Sequence, residues 1–221
     1  MKRHLNILLI VALGLLLTTG EKTWAGDIVG VVKPQGLRTA ENILVYVVKT
    51  PSLSVDTSQA RYLMDQRQLT FIPHILPVLV GAEVDFPNND KVAHNVFSLS
   101  RAKKFNLGSY KSGESKTVVF DQPGVVDLRC DVHQEMNAYI LVLKNPYFAV
   151  TDKQGRFTIP DQSSLEVAGI KGVEPLPPGN YVVKTWHEKL KTARQKVEIP
   201  ANGEVSIVLK PKRGAPGVLY K

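Results

Sequence analysis

Four side chains in this sequence have the types and the spacing to hold one soft metal ion. Three of them lie in the string from Gly124 to Met136, as Cys130-x-x-His133-x-x-Met136. Ahead of the cysteine, Val126 and Leu128 share a face with Cys130, while Asp127 and Arg129 share the other. That is the two-residue period of a half-buried strand, and it points the thiol inward where the strand ends. His133 and Met136 follow at three-residue steps on a short loop that can fold back over the same point. The fourth donor is His94, on a separate strand signal after Phe86-Pro-Asn-Asn-Asp90. Soft sulfur holds Cu(I), and imidazole with thiolate holds Cu(II), so the set selects copper, one ion per chain. His94, Cys130 and His133 form a trigonal set, with Met136 as a weak axial thioether. Zinc would accept the cysteine and the histidines, but a thioether is a poor zinc ligand.

A lone cysteine is more often a small buried hydrophobe than a ligand. Here the start of the chain weighs against that. Met1-Lys2-Arg3-His4 is a basic start, Leu5 to Leu17 is an apolar run broken only by Asn6 and Gly14, and Thr23-Trp24-Ala25 offers small residues for a cleavage step. Residues 1–25 read as an export signal, with the mature chain starting at Gly26 in the periplasm or otherwise outside the cytoplasm. The apolar run falls short of the roughly 20 residues a bilayer crossing needs, so no membrane anchor is expected after cleavage. An oxidising compartment favours disulfides, which the single cysteine cannot form within the chain. A metal that holds the thiolate protects it from oxidation. The chain carries a net charge of +8, which falls to +6 without residues 1–25. Export argues against nucleic acid as the partner of this basic charge.

Strand signals, rather than helical periodicity, must position the four donors. Asp27 to Lys33 and Asn42 to Lys49 read as strands around a turn at Pro34-Gln35-Gly36. The polar stretch at residues 51–60 reads as a linker. Strands resume at Gln68 to Ile72, Ile75 to Val80, Glu83 to Phe86, Val92 to Leu99, Ser115 to Phe120, Val125 to Cys130 and Ala138 to Leu143. After Lys144-Asn145-Pro146 come Tyr147 to Asp152, Arg156 to Pro160, Tyr181 to His187, Ala193 to Ile199 and Glu204 to Lys210. The expectation is an all-β chain of two sandwich-like units, with a basic tail at 211–221.

The segment from about Met64 to Lys144 resembles the cupredoxins, most closely the amicyanin and plastocyanin group. The resemblance is carried by Phe71-x-Pro73, Val78-Leu-Val-Gly81, Val84-x-Phe86, Ala93-His94-Asn95-Val96 and the Cys130 to Met136 loop. It implies a Greek-key β-sandwich over residues 61–145 with a type 1 copper site. It also implies that Asn95 ties the two ligand loops together, its backbone N–H facing the Cys130 sulfur and tuning the potential. Departures from the pattern are Val132, whose N–H can donate to Cys130, and Gln134 and Glu135, which make the surface around His133 more polar than usual. Asp152-x-x-Gly155-Arg-Phe157-x-Ile159 and Pro177-Pro-Gly179-x-Tyr181-x-Val183 resemble the carboxypeptidase regulatory-like, transthyretin-related sandwiches. In that family a hairpin like Ile28-Val-Gly30-x-Val32…Val45-x-Val47 belongs to the same unit. Residues 26–50 are therefore expected to pack with 146–210, around an inserted cupredoxin; tandem domains are the alternative. Chains of this kind also resemble methylamine-utilisation-like proteins.

The resemblance and the donor set imply a periplasmic blue-copper electron carrier with an unidentified redox partner protein. A copper storage, delivery or resistance protein is the alternative, or an envelope binding module. An enzyme is not expected, since protein side chains fill all four metal positions. Gly108 to Thr117 imitates a phosphate loop, but its lysine is misplaced and no helix follows. His74 and His187 read as structural, because no partners for a second metal site can be named from the sequence.

Overall fold

The structure is a computed structural model that describes residues 26–50, 55–57, 59–199, 205–210 and 212. The export signal at 1–25, most of the tail at 211–221 and residues 51–54 and 58 of the linker lie outside the described residues. Strands dominate. In chain order they begin with β1 (Ile28–Pro34), β2 (Leu44–Val47), β3 (Arg61–Leu63), β4 (Asp65–Arg67), β5 (Thr70–Ile72) and β6 (Ile75–Leu79). The middle of the chain supplies β7 (Ala82–Pro87), β8 (His94–Ser100), β9 (Lys103–Tyr110), β10 (Ser115–Phe120), β11 (Gly124–Arg129) and β12 (Asn137–Leu143). The last are β13 (Phe148–Val150), β14 (Arg156–Ile159), β15 (Gly179–Trp186), β16 (Arg194–Ile199) and β17 (Val205–Leu209), with one helix, α1 (Gln162–Val167), before β15.

The strands of residues 61–143 pair among themselves, in sheets ordered β10-β7-β3, β6-β12-β11-β8-β9 and β4-β5. The first two strands look elsewhere. β1 lies between β14 and β17, with Ile28 opposite Ile159 and Gly30 opposite Val205. β2 lies between β13 and β15, with Tyr46 opposite Phe148 and Leu44 opposite Trp186.

Inward residues build the core as alternation demands. In the 61–143 region, Phe86, Phe105 and Phe120 meet with ring centroids 6.0–6.4 Å apart, over buried Val84, Val126, Leu128 and Ile140. Each such phenylalanine or leucine, fully buried, contributes about 1.5–3 kcal/mol. In the other region Ile28, Val45, Phe148, Phe157, Ile159 and Val183 are buried together. Gly124, which opens the strand leading to Cys130, has φ +147°, and a Cβ there would lie 2.9 Å from the Ala102 side chain, so glycine alone suits that start.

The structure departs from the sequence reading in several places. β3 and β4 are three-residue strands ahead of the first strand expected there, at Gln68. β9 is a strand that alternation did not reveal: Lys103 and Lys104, being adjacent, fall on opposite faces, and Phe105 and Leu107 are only partly buried. α1 is a short helix in a region expected to hold only strand and turn. Asp161 caps it by accepting from the Ser164 N–H, and six residues are too few for a helical period to show. Residue 60, inside the expected linker, is packed: Ala60 is buried, and the next N–H, that of Arg61, donates to the Ala168 carbonyl at 3.0 Å.

Candidate metal centre

Three loops and strand ends converge on one buried point. His94 opens β8 with no exposed surface, and Cys130 follows directly after β11, also buried. His133 is half-buried on the loop between β11 and β12. One ligand atom from each of these three residues falls within 4.8 Å of the others. Met136 is buried three residues on, and its backbone N–H donates to the His133 carbonyl at 3.0 Å, which closes the loop in a tight turn.

The two imidazoles face each other through Nδ1, with the nitrogens 3.1 Å apart. That is the separation of two nitrogens sharing an ion about 2.0 Å from each. On the other side of its ring, His94 Nε2 lies 2.9 Å from the Asp90 carboxylate. The Leu69 N–H, donated to Asp90 at 2.7 Å, and the His94 ring hold that carboxyl down at about 2. An ionised Asp90 keeps the proton on Nε2, so His94 presents a lone pair at Nδ1. The sequence reading missed Asp90; its place four residues before a ligand histidine was the available signal.

Behind the histidine stands a buried polar frame. Asn88 Nδ2 donates to the carbonyls of Val92 and Tyr110, and Asn88 Oδ1 accepts from the Asp90 N–H. Gln66 Nε2 donates to Pro87 O and to the Tyr110 hydroxyl, which in turn donates to Phe86 O at 2.9 Å. Burial pushes the Tyr110 phenol up to about 12, so it stays a neutral strut. The loop that delivers His94 is therefore fixed from both sides.

Asn95 is buried beside the site, but its side chain bonds within the β8–β9 hairpin: Nδ2 donates to Asn106 Oδ1 at 2.8 Å, and Oδ1 has no hydrogen-bond partner among the described residues. Side-chain hydrogen bonds from Asn95 to the 130–136 loop are absent among the described residues. Around His133 the surface is mixed. Val132 is 52% exposed, so an apolar group stands beside the polar Gln134 and Glu135.

His74 and His187 also meet, although they are far apart in sequence. Glu188 lies between them, Oε1 3.4 Å from His74 Nε2 and Oε2 3.4 Å from His187 Nε2. His187 Nδ1 accepts the Lys189 N–H at 3.0 Å, so the ring's proton sits on Nε2 and no lone pair faces Glu188. This histidine pair is thus an internal polar contact between the two groups of sheets.

No family model and no curated protein matches the sequence. Among solved structures the chain is similar to a purple cupredoxin from Nitrosopumilus maritimus, at 24% identity over 38% of this chain and 99% of that one, with a TM-score of 0.33. It is also similar to a reduced amicyanin mutant, at 22% identity over 43% of this chain and 97% of that one, with a TM-score of 0.35. A Cu(I) amicyanin mutant at pH 4 follows at 19% identity, 47% and 100% coverage and a TM-score of 0.36. Each neighbour matches under half of this chain, and the chemistry below rests on the site's own geometry.

Proposed function

We propose that this chain is an exported type 1 copper protein whose cupredoxin module carries single electrons, with one copper held by His94, Cys130, His133 and Met136. The observation that carries this reading is the convergence of two Nδ1 atoms and one thiol, from two segments far apart in sequence, at one point where His94 and Cys130 are buried. A bound copper would supply a Cu(II)/Cu(I) couple. The chain's own residues do the rest. Asp90 fixes the His94 tautomer, the frame of Gln66, Asn88 and Tyr110 holds the loop, and burial of Cys130 and Met136 keeps water from the sulfurs. A site held so firmly rearranges little when an electron arrives. His133 is the most exposed of the four donors, and with the exposed Val132 next to it this end suits docking of a redox partner protein. No helix among the described residues is long and apolar enough to cross a membrane.

Adding Cu(II) to the chain and recording visible and EPR spectra tests the reading. An intense sulfur-to-copper charge-transfer band with a narrow parallel hyperfine splitting is expected. A colourless sample with ordinary Cu(II) splitting would defeat it. Storage or delivery is the second reading, favoured by the soft donor set itself. Rapid surrender of copper to a thiol chelator would select it, whereas a carrier holds the ion through repeated oxidation and reduction.

A further inference from the structure

The face of the sheet β13-β2-β15-β16 that carries Tyr46, Lys184 and Arg194 is cationic and apolar, and its Trp186 end packs against Tyr139 of β12. Two adjoining clefts run along it, of about 370 and 560 Å³, and both are lined by Val48. The smaller is walled by Tyr46 and Trp186 on this sheet and by β11 and β12 on the other side, with Lys144 and Lys184 at its lining. The larger carries Lys49 and Arg194. Among the described residues no aspartate or glutamate lines either cleft. Tyr46, Lys184 and Arg194 stand directly opposite one another across three strands, so they point to the same face. Lys184 lies over the Tyr46 ring, 6.0 Å from its centroid, and none of the four cations is ion-paired among the described residues.

We infer that this face binds an acidic polysaccharide, a chain of uronate sugars. This goes beyond the copper reading and does not depend on it. A uronate ring has an apolar C–H face and a carboxylate at its rim, matching aromatic and aliphatic walls interspersed with cations. Open, adjoining clefts suit an extended polymer, and clefts at a junction between packed units are common binding places. An acidic peptide would gain most of its affinity by adding to a strand edge, which in this sheet β13 and β16 offer, whereas Tyr46 and Lys184 stand on β2 and β15, each paired on both sides. Three of the four cations are lysines, point charges rather than the arginine forks that grip phosphate at two points.

The test is titration of the full chain with polygalacturonate oligomers by calorimetry at low ionic strength. Dextran, poly-glutamate and a single-stranded oligonucleotide serve as comparisons. Binding of the uronate oligomers is expected, with loss on adding salt and none for dextran. The double substitution Lys184→Gln with Arg194→Gln should weaken it about tenfold. Lys104→Gln, on the exposed face of β9, should leave it unchanged within about twofold. Absence of uronate binding overturns the inference. So does tighter binding of poly-glutamate or of the oligonucleotide, or equal weakening by Lys104→Gln, which would mean diffuse charge attraction only.

Discussion

Two places in this molecule bring a pair of histidines to a carboxylate, and they do opposite things with it. At the candidate metal centre, Asp90 binds the far nitrogen of His94 and leaves Nδ1 facing His133 and the Cys130 thiol. At the junction between the two groups of sheets, Glu188 sits between the rings of His74 and His187, and the Lys189 N–H occupies the nitrogen that could otherwise accept. One arrangement leaves electron pairs aimed at a shared point. The other uses them up internally. Residue inventory is therefore a poor guide to a metal site; what decides is which ring nitrogen keeps its lone pair, and a neighbour outside the ligand set fixes that.

Removing the thiol should break the comparison most sharply. Cys130→Ser is expected to abolish the charge-transfer band entirely in visible spectra, whereas His74→Ala and His187→Gln leave it intact. A band lost in either of the latter would mean that the second pair also shapes the metal centre. Asp90→Asn comes next. It keeps the shape but removes the charge that sets the His94 tautomer, and copper affinity by competition titration should fall about 10–100-fold. An unchanged affinity would show that the His94 ring is oriented by packing alone.

The junction should respond in stability instead. Glu188→Gln is expected to lower thermal stability by about 1 kcal/mol while leaving copper affinity unchanged, because a partly buried charged contact is lost far from the ion. The smallest effect is in its pH dependence. Burial, opposed in part by Glu188, holds His187 below its ordinary value of 6.5. The unfolded chain therefore takes up a proton that the folded chain refuses, so stability falls as pH drops below about 6.5. Burial favours the neutral form of Glu188, but His74 and His187 together outweigh it and hold the carboxyl below its ordinary 4.5, so its contribution is present above that pH and lost with further acidification. Denaturant melts at stepped pH should show a shallower acid slope in His187→Gln than in the unaltered chain.

Much of this was legible because it is local. Alternation of Val126, Leu128 and Cys130 placed the thiol inward, and all three are buried. Alternation and turn residues marked most of the strands, and among the described residues the chain is all-β apart from one short helix. β9 was not legible, since adjacent Lys103 and Lys104 fall on opposite faces and its inward Phe105 and Leu107 are only partly buried, which leaves little contrast to read. α1 was not legible either, because a helix shorter than two turns is specified by its cap rather than by a period.

The sequence by itself determined the donor types, their spacing after Cys130, the strand character of the segments that carry them and the single unpaired cysteine. Those follow from covalent order and from the two-residue period of a strand, which any reader of the chain can count. Tertiary structure alone decided that Asp90 and not a backbone group holds His94, that Asn95 bonds to Asn106 and that Glu188 joins His74 to His187. Each is a meeting of groups distant along the chain or a choice between two ends of one side chain. Such choices are set by how the sheets pack, because packing fixes which polar groups lose water and must find a partner.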